Sequence, residues 1–130
     1  MKQKLIDTLE TLGYPVSRQG SYEEGKELPD SFFTFWNYDT EPVFYSNDVK
    51  RTIWVFRVFF YSTDPLLTNT VLKQACKLLR QNNFLVGGEY DIDSGVQGYT
   101  AREVEINYIE KEENWLWQIL LELVMFISGG

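Results

Sequence analysis

The chain of 130 residues has no histidine, one cysteine, four prolines, and 12 lysines and arginines against 19 aspartates and glutamates. Each scarcity excludes something. Without histidine, the commonest general base is missing, and so are the usual zinc and iron ligand sets. A lone Cys76 can form neither an intrachain disulfide nor a thiolate metal cluster, and it is compatible with a reducing cytoplasm. The net charge of -7 argues against nucleic-acid binding by phosphate neutralisation. It suits a surface that DNA passes without being held, since like charges repel. The first residues, MKQKLIDTLETLG, are charged throughout and lack the apolar core of a signal peptide.

Apolar and aromatic side chains are what the chain does have. Hydrophobic residues make up 44% and aromatics 16%, enough for one domain of this length to bury a core without staples. The richest segment is KRTIWVFRVFFYS, residues 50–62. Successive strand side chains point to opposite faces, so Thr52, Trp54, Phe56, Val58 and Phe60 share one face and Ile53, Val55, Arg57, Phe59 and Tyr61 the other. The first face is almost wholly apolar, and only Arg57 interrupts the second. Such a strand needs covering twice, by its own core and by a helix, a sheet or another subunit.

Around that strand the pattern is helix, strands, helix, strands. Leu5, Ile6, Leu9 and Leu12 at helical spacing before Gly13 predict an amphipathic helix over 2–12, and Tyr14-Pro15-Val16 then starts an extended segment. Residues 18–30 carry the glycine, proline and charge of a loop, SFFTFWNY (31–38) alternates as a strand, and 39–48 reads as a connection with Pro42. Asp64-Pro65 is a helix start, and the stripe Leu67, Val71, Leu72, Ala75, Cys76, Leu78 and Leu79 predicts a helix over 65–81. Phe84 to Val86 is a short strand, Gly87-Gly88 a turn or bulge, and 89–93 a brief continuation. Val104, Ile106 and Tyr108 against Glu103, Glu105 and Asn107 make 102–109 a half-exposed strand. The expected architecture is α+β: a small, mostly antiparallel sheet flanked by two amphipathic helices, over residues 1–112, with an apolar C-terminal helix over 113–130.

That last segment is anomalous. In WLWQILLELVMFI (115–127) only Gln118 and Glu122 are polar. As a helix it would be roughly 20 Å long, short for a membrane span, so burial against the sheet or a neighbouring subunit is expected over membrane contact.

Reactive candidates are few. Cys76, within an apolar stripe, reads as a buried structural thiol. Glu89, Asp91 and Asp93 alternate ahead of Gly95 and could in principle hold a divalent cation. They lack the later bidentate glutamate of a calcium loop, and a solvated acidic turn is the stronger reading. The glycines at 87, 88, 95 and 98 read as turn formers rather than as a phosphate loop. Arg57 and Arg102 each sit among apolar strand neighbours. They either snorkel or pair with a strand glutamate, or they form intersubunit ion pairs. No catalytic residue, cofactor or metal is expected. The candidate oligomer interface comprises Arg57, Phe59, Tyr61, Arg102, Trp115 and Trp117.

The succession TIWVFRVFFYSTDP (52–65), LKQACKLLRQNNFLV (72–86), EYDIDSG (89–95) and GYTAREVEINYIEK (98–111) resembles a group of small phage proteins. These are the tail terminator and tail-completion proteins encoded in the head–tail joining region of long-tailed phages and prophages of Gram-positive bacteria. Tyr61-Ser62, Asp64-Pro65 and the closing Tyr108-Ile109-Glu110 carry most of the likeness, which covers roughly residues 1–112. It implies a structural virion protein, assembled in the host bacterial cytoplasm. The protein would form a homo-oligomeric ring, typically a hexamer, that caps the tail tube and docks to the head connector. No catalytic residue is carried over, and an apolar segment beyond Glu112 departs from the group. A head-closure or minor capsid protein is the neighbouring alternative. A small-molecule or peptide-binding domain, with strand 31–38 lining a pocket beside Trp36 and Trp54, is the alternative from another class.

Overall fold

A computed structural model describes residues 1–21, 27–45 and 48–111. The elements run α1 (Lys2–Glu10), β1 (Val16–Arg18), β2 (Ser31–Tyr45), β3 (Asp48–Ser62), α2 (Pro65–Gln81), β4 (Leu85–Ile92) and β5 (Thr100–Lys111). The strands form one sheet in the order β1-β2-β3-β5-β4. β1 pairs parallel to β2, and the other neighbours are antiparallel.

This arrangement corrects the expected architecture in two respects. The fold is α+β, but the sheet has five strands and is mixed, because one of its pairings is parallel. A three-residue β1 is too short to show a period of two in the sequence, and it is the strand that makes the sheet mixed. The two helices share one face instead of flanking the sheet. The apolar C-terminal helix expected over 113–130 lies outside the described residues and forms no part of the described fold.

The shared helix face is the core. Phe56, Val58 and Phe60 of β3 meet Phe33 and Phe35 of β2 and Val104 and Ile106 of β5. Leu5 and Leu9 of α1 and Val71, Leu72, Ala75, Cys76 and Leu79 of α2 lie over them. Phe33, Phe56, Phe60, Leu5, Leu72 and Leu79 are fully buried. Removing each such side chain from water contributes roughly 1.5–3 kcal/mol, which is why the helices settle on this face. Phe33 and Phe60 are cross-strand partners with ring centroids 4.7 Å apart.

Local chemistry explains the helix boundaries. Asp64 caps α2, its side chain accepting from the Leu66 amide at 3.0 Å, and Pro65 occupies the first turn. At the other end Asn83 takes a positive φ of 70°, and the chain turns back so that the Phe84 amide reaches the Leu79 carbonyl at 3.0 Å. α1 is pinned to the sheet by Lys4, whose Nζ donates to the Tyr108 hydroxyl at 2.8 Å and lies 4.2 Å from its ring centroid.

β2 and β3 run on well past the expected connection over 39–48, pairing as far as Tyr45 with Asp48. Register shifts between Asn37 and Asp39 and between Val43 and Phe44 break the alternation, which made this stretch read as irregular. Pro42 is tolerated because, among the described residues, β1 covers only Phe33 to Phe35 of the outer side of β2. Likewise 84–86 and 89–93 merge into a single β4, broken by an irregularity between Val86 and Glu89 where the two glycines lie.

Candidate functional site

The face of the sheet away from the helices divides into two halves. At one end Phe32, Phe59, Tyr61 and Ala101 form a second small core, covered by Leu28, Ile92 and Tyr99. The rings of Phe32 and Tyr61 stack at 5.0 Å. The Tyr99 hydroxyl ties down the covering segment by donating to the Pro29 carbonyl at 2.9 Å. Burial pushes the Tyr61 phenol pKa up; the Thr34 hydroxyl opposes this and the Glu103 carboxylate adds to it.

The other half is open. Of the large hydrophobic residues exposed among the described residues, Trp36, Tyr38, Leu85, Tyr90 and Ile109 all belong to this face. Trp36 is 45% exposed and Tyr90 62%, values far from those of a covered sheet. The Arg57 guanidinium lies 4.7 Å from the centroid of the Tyr38 ring and 3.9 Å from the Glu103 carboxylate. Trp36, Tyr38, Arg57 and Phe59 line an open groove of about 510 Å³ together with Gln19 and Gly20. A second groove of about 370 Å³ lies toward the β4 edge, lined by Leu85, Gly87, Gly88, Tyr90, Glu105 and Asn107. Tryptophan, tyrosine and arginine are the side chains that dominate binding energy at protein interfaces.

The interface candidates named from the sequence separate on this scaffold. Arg57, Phe59 and Tyr61 share the second face as their parity requires, but Phe59 and Tyr61 are buried, so Arg57 alone of the three reaches solvent substantially. Arg102 is on the opposite, helix-bearing face, in register with Phe60. Its guanidinium pairs with Asp91 at 2.6 Å and approaches Glu89 at 3.6 Å, so it serves a pairing role within the chain. Trp115 and Trp117 lie outside the described residues. Trp36, Tyr38, Leu85 and Tyr90 are exposed participants that sequence reasoning missed. Trp36 and Tyr38 were visible as strand aromatics, to be read as core or interface, with nothing local to choose between the two. Leu85 and Tyr90 lacked any signal, because the glycine pair hid the continuity of β4.

Glu89 and Asp91 lie within β4 rather than in a solvated turn. Glu89 and Asp91 are engaged by Arg102, and Asp93 accepts from the Gly95 amide at 2.9 Å. No cluster of three or more potential metal ligands occurs among the described residues. Cys76 is buried on the sheet-facing side of α2 and its thiol donates to Glu89 at 3.1 Å. Burial, then the adjoining carboxylate, pushes its pKa up to about 12, opposite to what a nucleophile needs. The pocket required by the small-molecule alternative does not form around both tryptophans. Trp36 is on the open face, whereas Trp54 stacks on Phe56 on the helix face and donates to Glu110 at 2.8 Å. Among the described residues, no helix is long and apolar enough to cross a membrane. No known protein family matches the chain, and no curated protein matches it by sequence.

Proposed function

We propose that this chain is a structural assembly protein of the head–tail joining region of a long-tailed phage. In this reading it forms a homo-oligomeric ring that caps the tail tube and offers a docking surface to the head connector. The resemblance over residues 1–112 supplies the class. The physical support is one observation: half of a sheet face carries exposed Trp36, Tyr38, Leu85 and Tyr90 around Arg57 and is covered by no described element. That is contact surface looking for a macromolecule rather than a pocket for a small one. An acidic chain also suits a conduit that DNA traverses without being retained.

The test is to incubate the purified chain with tail tubes lacking a terminal cap and to image the ends by electron microscopy, with native mass spectrometry in parallel. The expected result is a ring of defined mass on one end of each tube. A chain that ignores tube ends and forms no ring at any concentration would sink the proposal. Binding to portal rings in preference to tubes would transfer the chain to the head-closure alternative.

A further inference from the structure

Four strands bring one row of residues into line across the open face. Trp36 of β2 is the register partner of Arg57 of β3, and Arg57 is the partner of Glu105 of β5. On β4, Val86 pairs with Ile106 and Glu89 with Val104, which leaves Gly87-Gly88 opposite Glu105. A Cβ placed on Gly87 would come within 3.1 Å of the Glu105 carbonyl oxygen, so the glycine lies tight against that strand. The row therefore reads tryptophan, arginine, glutamate, glycine pair. It spans three strand spacings, about 15 Å.

This order is self-complementary. A half-turn about an axis parallel to the strands, placed above the sheet between β3 and β5, lays β2 of one copy over β4 of the other and β3 over β5. Arg57 then faces the partner's Glu105 twice, once on each side of the axis. Trp36 faces the partner's Gly87-Gly88, at the 370 Å³ groove that Leu85 and Tyr90 also line, with the Tyr90 ring lying against Gly88. Tyr38, beyond it, faces the partner's Leu85. The charges agree: among the described residues, Arg57 is the only charged one lining the first groove and Glu105 the only one lining the second.

We infer that the open face is a two-fold interface between two copies of this chain, packed sheet on sheet with Arg57 against Glu105 and Trp36 in the glycine-floored groove. The contact is isologous, while closure of a ring needs two different surfaces meeting head to tail. The inference goes beyond the ring proposal and does not rest on it. The contact is confined to the open half, because the half-turn sets the segments that cover Phe59 and Tyr61 in the two copies at the same end.

Arg57 and Glu105 also neighbour each other within one chain, so a double charge swap in a single chain would be ambiguous. Mixing two single variants is not. Sedimentation velocity of the full chain over a concentration series should show a monomer–dimer equilibrium. Arg57→Glu alone places glutamate against glutamate across the axis, and Glu105→Arg alone places arginine against arginine. Each should weaken dimerisation at least ~10-fold, and an equimolar mixture should restore a heterodimer. Trp36→Ala should weaken it by a similar factor with the charges intact. The inference is overturned if the unaltered chain stays monomeric throughout, if either charge variant dimerises as tightly as the parent, or if the mixture stays monomeric. Tube capping is a separate readout, so failure of either proposal leaves the other standing.

Discussion

The two faces of this sheet are built from alternate residues of the same strands, yet they have opposite fates. On the helix side, Phe56, Val58 and Phe60 are sealed by α1 and α2. On the other side, Leu28 and Tyr99 close over Phe59 and Tyr61 and Val55 is also buried, while Arg57 between them reaches solvent. The lesson is that aromatic content alone does not distinguish core from contact surface. Phe60 and Trp36 are both large aromatics on paired strands. One is fully buried and the other nearly half exposed, because the helices reach only one side.

Four substitutions or conditions would break or sharpen that contrast. The largest effect is expected on the sealed face. Phe60→Ala opens a cavity beneath both helices and should cost about 3–5 kcal/mol in urea unfolding, enough to unfold a marginal domain. A loss below about 1 kcal/mol would mean that the helix layer does not pack as described.

Next comes pH. The Cys76 pKa is raised to about 12 from 9.0, so the folded chain holds this proton more tightly than the unfolded one. Stability from this group is intact below pH 9 and falls as pH rises from there to about 12. Chemical denaturation at pH 8 and pH 10.5 should show the drop, and Cys76→Ala should flatten that part of the profile. Native thiol labelling at pH 8 should also run at least ~100-fold slower than in denaturant. Rapid native labelling would contradict the burial of α2 on the sheet.

A smaller effect is expected at the start of α2. Asp64→Ala removes the cap that accepts from Leu66 and should cost about 1 kcal/mol, read as a shift in thermal midpoint. Asp64→Asn should recover most of it. Smallest of all is Trp36→Ala on the open face, where unfolding free energy should change by about 1 kcal/mol or less in dilute solution. A loss comparable to that of Phe60→Ala would show that Trp36 is part of the monomer's own core and would erase the distinction between the faces.

Much of this scaffold was legible before any coordinates. The Asp64-Pro65 start and the apolar stripe placed α2 over the residues it occupies, because capping and helical periodicity are local properties. The parity of β3 sorted its side chains correctly between two faces. What stayed hidden depended on neighbours distant in sequence. Three-residue β1 carries no period of its own. The bulge near Asn37 shifts the alternation of β2, and the glycine pair splits the pattern of β4 in two. Arg57 and Arg102 looked equivalent, each a cation among apolar neighbours. Register places one on the open face and the other under α2 with Asp91 and Glu89.

The amino-acid order by itself determined the limits of α2, the two-faced central strand and the scarcity of reactive groups, since each follows from spacing along the chain or from residue type. Only the tertiary structure decided which face the helices would seal, and that Trp36, Arg57, Glu105 and the glycine pair would stand in one row. The physical reason is that strand register is set by packing between segments far apart in the chain, and no local pattern records it.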